Sequence, residues 1–159
     1  MYPALDRLGT LLVRDVMTRH VVCLAQDQTL AEVAEVFTNK DISSAPVVDH
    51  NGTLVGVLSS VDFLKHRAEE DAAERGASGA RQPAEKRVRD CMTRHVASIG
   101  ADELLLRAAQ IMCARHVHRL PVVGEDHRIE GLVSTMDIVS AMVNAIDEAE
   151  ASHFGIKDF

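Results

Sequence analysis

Val13-Arg14-Asp15-Val16-Met17-Thr18-Arg19-His20-Val21 is written a second time as Val88-Arg89-Asp90-Cys91-Met92-Thr93-Arg94-His95-Val96. The match runs on past these nine residues. Residues 13–62 lie on residues 88–137 without a gap, at an offset of 75, and 17 of the 50 aligned positions are identical. Among the later identities are Asp27, Leu30, Pro46, Val47, Val48, Gly56, Ser59 and Asp62 with their counterparts 75 residues on. An internal copy of this kind decides the architecture before any local reading. With two copies and no third, the chain is a pseudo-symmetric pair.

Each half holds about 75 residues, and a unit of that size buries too little surface to be comfortable alone. The copies are therefore expected to share an interface and form one module. The absence of Trp and the presence of only four Phe and one Tyr leave Val, Leu, Ile, Ala and Met to build the core. A formal charge of −7 argues against a broad nucleic-acid or anionic-membrane surface, since both need an extended basic field. It leaves room for one small anion held by local donors. No apolar run approaches the ~20 residues of a membrane span, so no direct membrane insertion is expected. The N-terminus does not read as a leader peptide. Cys23, Cys91 and Cys113 are odd in number and not laid out as a framework, which suggests reduced thiols in the cytoplasm.

Residues 1–12 form a helical lead-in with Leu5, Leu8 and Leu12 on one side. In the first copy, 13–66, the spacing predicts a turn of helix at 13–18 and a buried strand at 21–24. Leu30, Val33, Ala34 and Phe37 then mark a helix running to about Lys40, preceded by Thr29. Pro46 opens a strand, on the ground that a proline is tolerated at a strand's start. Asn51-Gly52 marks a hairpin turn, a strand returns over 54–58, and a helix starts near Ser59. Residues 67–87 contain no large apolar residue. Their first half extends the helix and the glycine-bearing portion at 76–79 is a linker. The second copy, 88–148, repeats this order, with strands at 96–99, from Pro121, and at 128–133. The tail, 149–159, is weakly patterned and is either loose or docked on a partner subunit.

Two motifs then give the family. His118-Arg119-Leu120-Pro121-Val122-Val123 followed by Gly131-Leu132-Val133-Ser134-Thr135-Met136-Asp137 resembles the signature of a CBS domain. Ser43-Ser44-Ala45-Pro46-Val47-Val48 and Gly56-Val57-Leu58-Ser59-Ser60-Val61-Asp62 stand at the same places in the first copy. The Val-Arg-Asp-x-Met-Thr opening of each copy is also typical of that family. The resemblance implies an α/β fold of tandem CBS domains, two pseudo-twofold-related β-α-β-β-α repeats forming one Bateman module. It further implies that two such pairs associate as a flat disc, and that the clefts between copies take adenosine-containing ligands.

The residue chemistry is compatible with that. Ser59/Asp62 and Ser134/Asp137 fall where a strand becomes a helix, where free N–H groups and the positive end of the helix dipole favour an anion. A Ser hydroxyl can reach a phosphate or ribose oxygen, and a carboxylate can accept ribose hydroxyls. The same spacing is also that of a capping box, which needs no ligand. His118 and Arg119 add donors suited to phosphate, though a basic turn before a strand is equally an ordinary surface feature. Ser43 and Ser44 replace that pair in the first copy, so the two clefts should differ.

By resemblance, the stronger cleft combines Val21, Val22 and Ile42 with His118, Arg119, Pro121, Leu132, Ser134 and Asp137. The weaker combines Val96, Ala97 and Val117 with Ser43, Ser44, Val57, Ser59 and Asp62. The apolar members are also plain core candidates. Cys113, His116, His118 and His127 could suggest a soft-metal site, but the helix ends among them and no metal is assigned. No nucleophile-and-base pattern points to catalysis.

The expected role is therefore that of a cytoplasmic regulatory module, not an enzyme. It binds AMP, ADP or ATP, requires no cofactor, and passes occupancy to an unidentified regulated protein, most simply as a homodimer. The alternatives are a ligand-free dimerising scaffold, or a sensor of S-adenosylmethionine or a metal ion. The start at Met1 and the absence of an attached enzyme or transporter suggest a stand-alone module, with a fragment of a larger protein as the other option.

Overall fold

A computed structural model describes residues 3–76 and 85–154. Among the described residues, helices α1 (Pro3–Leu8), α2 (Val13–Val16), α3 (Leu30–Lys40), α4 (Ser60–Gly76), α5 (Val88–Cys91), α6 (Leu105–Arg115) and α7 (Thr135–Phe154) accompany five strands. These are β1 (Leu24–Ala25), β2 (Ser44–Val48), β3 (Leu54–Ser59), β4 (Arg119–Val123) and β5 (Ile129–Ser134). The chain divides into two compact units that do not coincide with the two copies. A continuous unit holds the described residues from Val22 to Val96. A split unit holds those up to Val21 and those from Ala97 onward.

In the continuous unit the sheet order is β1-β2-β3, with β1 parallel to β2 and β2 antiparallel to β3. Helix α3 begins with a reciprocal cap. Thr29 Oγ1 accepts from the Glu32 N–H, and Glu32 Oε2 accepts from the Thr29 N–H at 2.8 Å, so two otherwise orphaned donors are satisfied. Leu30, Val33 and Phe37 then turn one face inward onto Leu24, Val47 and Leu58, and Phe37 meets Phe63 of α4 edge to face at 5.8 Å. The chain returns from α4 through a polar contact. Lys86 Nζ lies 2.9 Å from Glu69 Oε2 and the Lys86 N–H donates to Glu70. The hydrogen bond from Lys86 holds the Glu69 carboxyl below its ordinary range.

In the split unit β4 and β5 form a hairpin, and Ile99 adds one parallel bridge to Val122. Leu105, Ala108 and Met112 of α6 pack with Leu120, Val122 and Val133. Helix α1 lies on α7, joined at its end by Arg7 and Glu148 at 2.6 Å.

Several expectations need correction. The strand expected at 21–24 is only Leu24–Ala25, and that at 96–99 reduces to the single Ile99 bridge. Strand formation depends on a partner, and here the neighbouring strand accepts one only at its far end. Pro46 and Pro121 are third in their strands, not first. Each is tolerated because its nitrogen faces away from the hairpin partner. The Pro121 carbonyl accepts from Ile99, and Val57, opposite Pro46, spends its N–H and C=O on Thr93. No ladder bond is therefore lost. Residues 149–154 continue α7, while 155–159 and the linker portion 77–84 lie outside the described residues.

The division into units follows from where the two openings pack. Val13 N–H donates to Glu103 O and Arg14 N–H to Ala101 O, both at 2.9 Å. At the equivalent places Val88 N–H donates to Gln28 O and Arg89 N–H to Gln26 O, both at 3.0 Å. Arg14 pairs with Asp102 and Arg89 with Asp27. Thr18 exchanges two backbone hydrogen bonds with Leu132, and Thr93 does the same with Val57. Each opening is thus built into the unit that carries the other copy's hairpin. The glycines shared by the copies are explained by this. A Cβ on Gly131 would lie 2.7 Å from Met17 Sδ and 2.9 Å from Thr18 O, and one on Gly56 would meet Met92 and Thr93 as closely.

Candidate functional site

Strand alternation sorts the hairpin residues of the split unit onto two faces. Leu120, Val122 and Val133 are fully buried on the core face. Arg119 pairs with Ser134 and Pro121 with Leu132 in register, so these four share the opposite face. Pro121 is buried, Leu132 and Ser134 are half-buried, and Arg119 is exposed. His118 stands exposed just before β4, and its carbonyl accepts from the Thr135 N–H at 3.0 Å, tying the start of the strand to the start of α7. Thr18 closes the edge of β5 against Leu132 and leads to half-buried Val21 in the same unit.

Asp137 has a double duty available. Its Oδ2 accepts from the Ser134 N–H and from the Ser134 hydroxyl, each at 2.7 Å, while its own N–H donates to Ser134 Oγ at 3.2 Å. That is a complete capping box, so the plain structural role of the motif is realised. Oδ1 makes no hydrogen bond among the described residues and remains able to accept two donors.

The continuous unit repeats the arrangement with different chemistry. Ser44 pairs with Ser59 and Pro46 with Val57 on the non-core face. Ser59 Oγ donates to Asp62 Oδ2 at 2.8 Å, and the Ser43 carbonyl accepts from the Ser60 N–H at 2.8 Å. Val96 follows Thr93, which lies against Val57. No cation stands where His118 and Arg119 stand in the other unit.

The remaining expected residues divide. Val22 and Ile42 belong to the continuous unit, and Ala97 and Val117 to the split unit. Ile42, Ala97 and Val117 pack against the buried cores while keeping part of their surface exposed, whereas Val21, Val22, Val57, Val96 and Leu132 are half-buried outside both clusters. The sequence reading overlooked Thr18 and Thr93. Their recurrence at an offset of 75 was the available signal, but a threonine bonding through its backbone leaves no mark in residue type. Among the described residues no group of three or more His, Cys, Asp or Glu is placed to hold a metal. Cys113 is exposed, and His116 terminates α6 in a left-handed conformation. No disulfide joins the three cysteines, and burial raises the thiol pKa of Cys23 and of Cys91.

The profile of the CBS domain family matches residues 13–69 and again residues 88–144. The chain belongs to the CBS domain family. This tandem CBS protein is similar to the CBS domain pair of protein MJ0100, solved with 5′-methylthioadenosine and S-adenosyl-L-methionine. The identity is 25%, the TM-score 0.69, and the match covers 85% of this chain and 98% of that one. It is similar to CBSX2, solved with AMP, at 27% identity and a TM-score of 0.69, covering 84% and 96% of the two chains. It also shares 30% identity over 125 residues with an inosine-5′-monophosphate dehydrogenase of Methanocaldococcus jannaschii, a match covering 79% of this chain and 22% of that enzyme. Among the described residues no helix is long and apolar enough to cross a membrane.

Proposed function

We propose that this tandem CBS protein is a regulatory module that binds an adenine nucleotide on the non-core face of the β4–β5 hairpin. The observation that carries the proposal is the register that places Arg119, Pro121, Leu132 and Ser134 on one face, with Asp137 at the adjoining helix start. Arg119 and His118 would take the phosphate, as a fork and a point donor. Ser134 Oγ and Asp137 Oδ1 would take the ribose hydroxyls, and Val21, Pro121 and Leu132 would line the base. The continuous unit, with Ser43, Ser44, Val57, Ser59, Asp62 and Val96, would offer the weaker site.

The solved relatives with AMP or with S-adenosylmethionine support an adenosine-containing ligand. The basic pair supports a phosphorylated one, AMP, ADP or ATP, over a sulfonium compound. In this reading the protein works in the cytoplasm as a homodimer, has no catalytic role, and signals to a partner protein through a state-dependent affinity, because equal affinity for two states shifts nothing. The competing scaffold reading draws on the Ser134–Asp137 capping box, complete without a ligand, and on the Ser59–Asp62 pair, whose groups also bond one another.

Calorimetric titration with AMP, ADP, ATP and S-adenosylmethionine separates these. Arg119→Ala or Asp137→Ala should weaken nucleotide binding tenfold or more, the loss of a charge-assisted bond of about 1.5–3 kcal/mol. Asp62→Ala should cost far less. A nucleotide at about 100 times its Kd should stabilise the parent by about 2.7 kcal/mol. Equal losses in all three variants would remove the asymmetry, and an unresponsive parent would leave the scaffold.

A further inference from the structure

Each opening sets a methionine sulfur on the hairpin it completes, and the two sulfurs differ in shelter. Met17 Sδ rests on Gly131 and Met92 Sδ on Gly56, so closely that a Cβ on these glycines would lie 2.7 and 2.6 Å from the sulfur. Met17 is a member of the buried core of the split unit and is 9% exposed. Met92 is only half-buried and packs against the core of the continuous unit without belonging to it. Beside it the Cys91 side chain is buried, and burial raises its thiol pKa. A thiol held in its protonated form is a poor nucleophile, whereas a thioether needs no deprotonation to react. At this place in the fold the methionine, not the cysteine, is the group open to an oxidant.

We propose that Met92 is a site of reversible oxidation by peroxides, and that its sulfoxide releases the end of the second opening from the β2–β3 hairpin. A sulfur lone pair attacks one peroxide oxygen and the O–O bond breaks. The attacked oxygen stays on sulfur, and its proton goes to the other oxygen, which leaves as water. The thioether loses two electrons and the peroxide gains them. The product is polar where the thioether was apolar, and no oxygen fits between the sulfur and Gly56. The Thr93 carbonyl, 2.9 Å from the same Cβ position, repels one there as well. The side chain must therefore turn away from the hairpin. The next residue, Thr93, carries the two backbone bonds to Val57, at 2.9 and 3.0 Å, and these are the bonds that loosen. Val88 and Arg89 stay bonded to the Gln28 and Gln26 carbonyls, so the release is local. This goes beyond the nucleotide reading, whose failure would leave it standing.

The test treats the full chain with hydrogen peroxide and follows each methionine by peptide mass spectrometry and each amide by hydrogen exchange. Met92 should gain its oxygen at least tenfold faster than Met17. Protection of the Val57 and Thr93 amides should then fall at least tenfold, while that of Thr18 and Leu132 holds. Methionine sulfoxide reductase with a dithiol should remove the oxygen as water and restore the lost protection. Met92→Leu, a swap that nearly conserves volume, keeps the three cysteines and the other methionines. Its hairpin should stay protected under the same treatment. Oxidation of Met92 no faster than that of Met17 would overturn the proposal, as would a sulfoxide at Met92 with Val57 and Thr93 still protected. An equal loss of protection in Met92→Leu would do the same, and so would a simultaneous loss at Thr18 and Leu132, the mark of general unfolding.

Discussion

Among the described residues, Asp41, His116, His127 and Gly52 hold a left-handed backbone. Gly52 and His127 occupy the same place in the two hairpin turns, at φ 81° and 57°. Only glycine adopts that conformation without a Cβ penalty, which for other residues is about 1–2 kcal/mol. His127→Gly should therefore raise the melting temperature and Gly52→Ala should lower it, each through about 1 kcal/mol measured by thermal denaturation. The left-handed ends of α3 and α6 carry Asp41 and His116 at positions where glycine is the usual choice. Neither is the glycine that usually marks a helix end, yet the apolar spacing alone placed the end of α3 at about Lys40, where the helix stops. Thr29 was legible as the residue before that helix, and the structure adds its reciprocal cap with Glu32.

At the scale of the element, the β2–β3 hairpin depends on one carboxylate. Asp49 Oδ1 accepts from the Asn51 N–H at 2.8 Å and the Thr53 N–H at 2.9 Å. The bond from the Thr53 backbone, and then that from Asn51, hold the Asp49 pKa below its ordinary value. A depressed carboxyl contributes stability above its unfolded pKa, about 4, and loses it as the pH falls through the folded value. Amide protection at Asn51 and Thr53, taken relative to the intrinsic exchange rate, should therefore fall below about pH 4 in the parent, before the protein unfolds globally. In Asp49→Asn that acid step should be absent. The equivalent turn has Gly124 in place of Asp49, and the β4–β5 hairpin should lack this particular step. The turns, the hairpins and the buried faces of α3 and α6 were all legible, since each follows from residues within a few positions of one another. The two proline strands were misread at their starts because the direction of one nitrogen depends on pairing, not on residue type.

For the whole molecule the deciding feature is the crossing of the two openings. Gly131→Ala places a methyl against Met17 Sδ and the Thr18 carbonyl, and a backbone oxygen has little freedom to yield. Urea denaturation should show a loss of about 1–3 kcal/mol, the usual cost of overpacking. Hydrogen exchange should locate the damage at Thr18 and Leu132, although residue 18 is remote in sequence from the substitution. Confinement of the damage to 88–137 would count against the crossing. Sequence alone determined the duplication, the α/β repeat, the family and the difference in charge between the two candidate sites, because repetition, periodicity and residue type are properties of the string. Tertiary structure alone decided which copy each opening completes. Residues 13–18 and 88–93 differ at a single position, so either could fit either unit by local chemistry. The choice is made by long-range backbone pairing and by the Arg14–Asp102 and Arg89–Asp27 contacts, which join residues more than sixty positions apart.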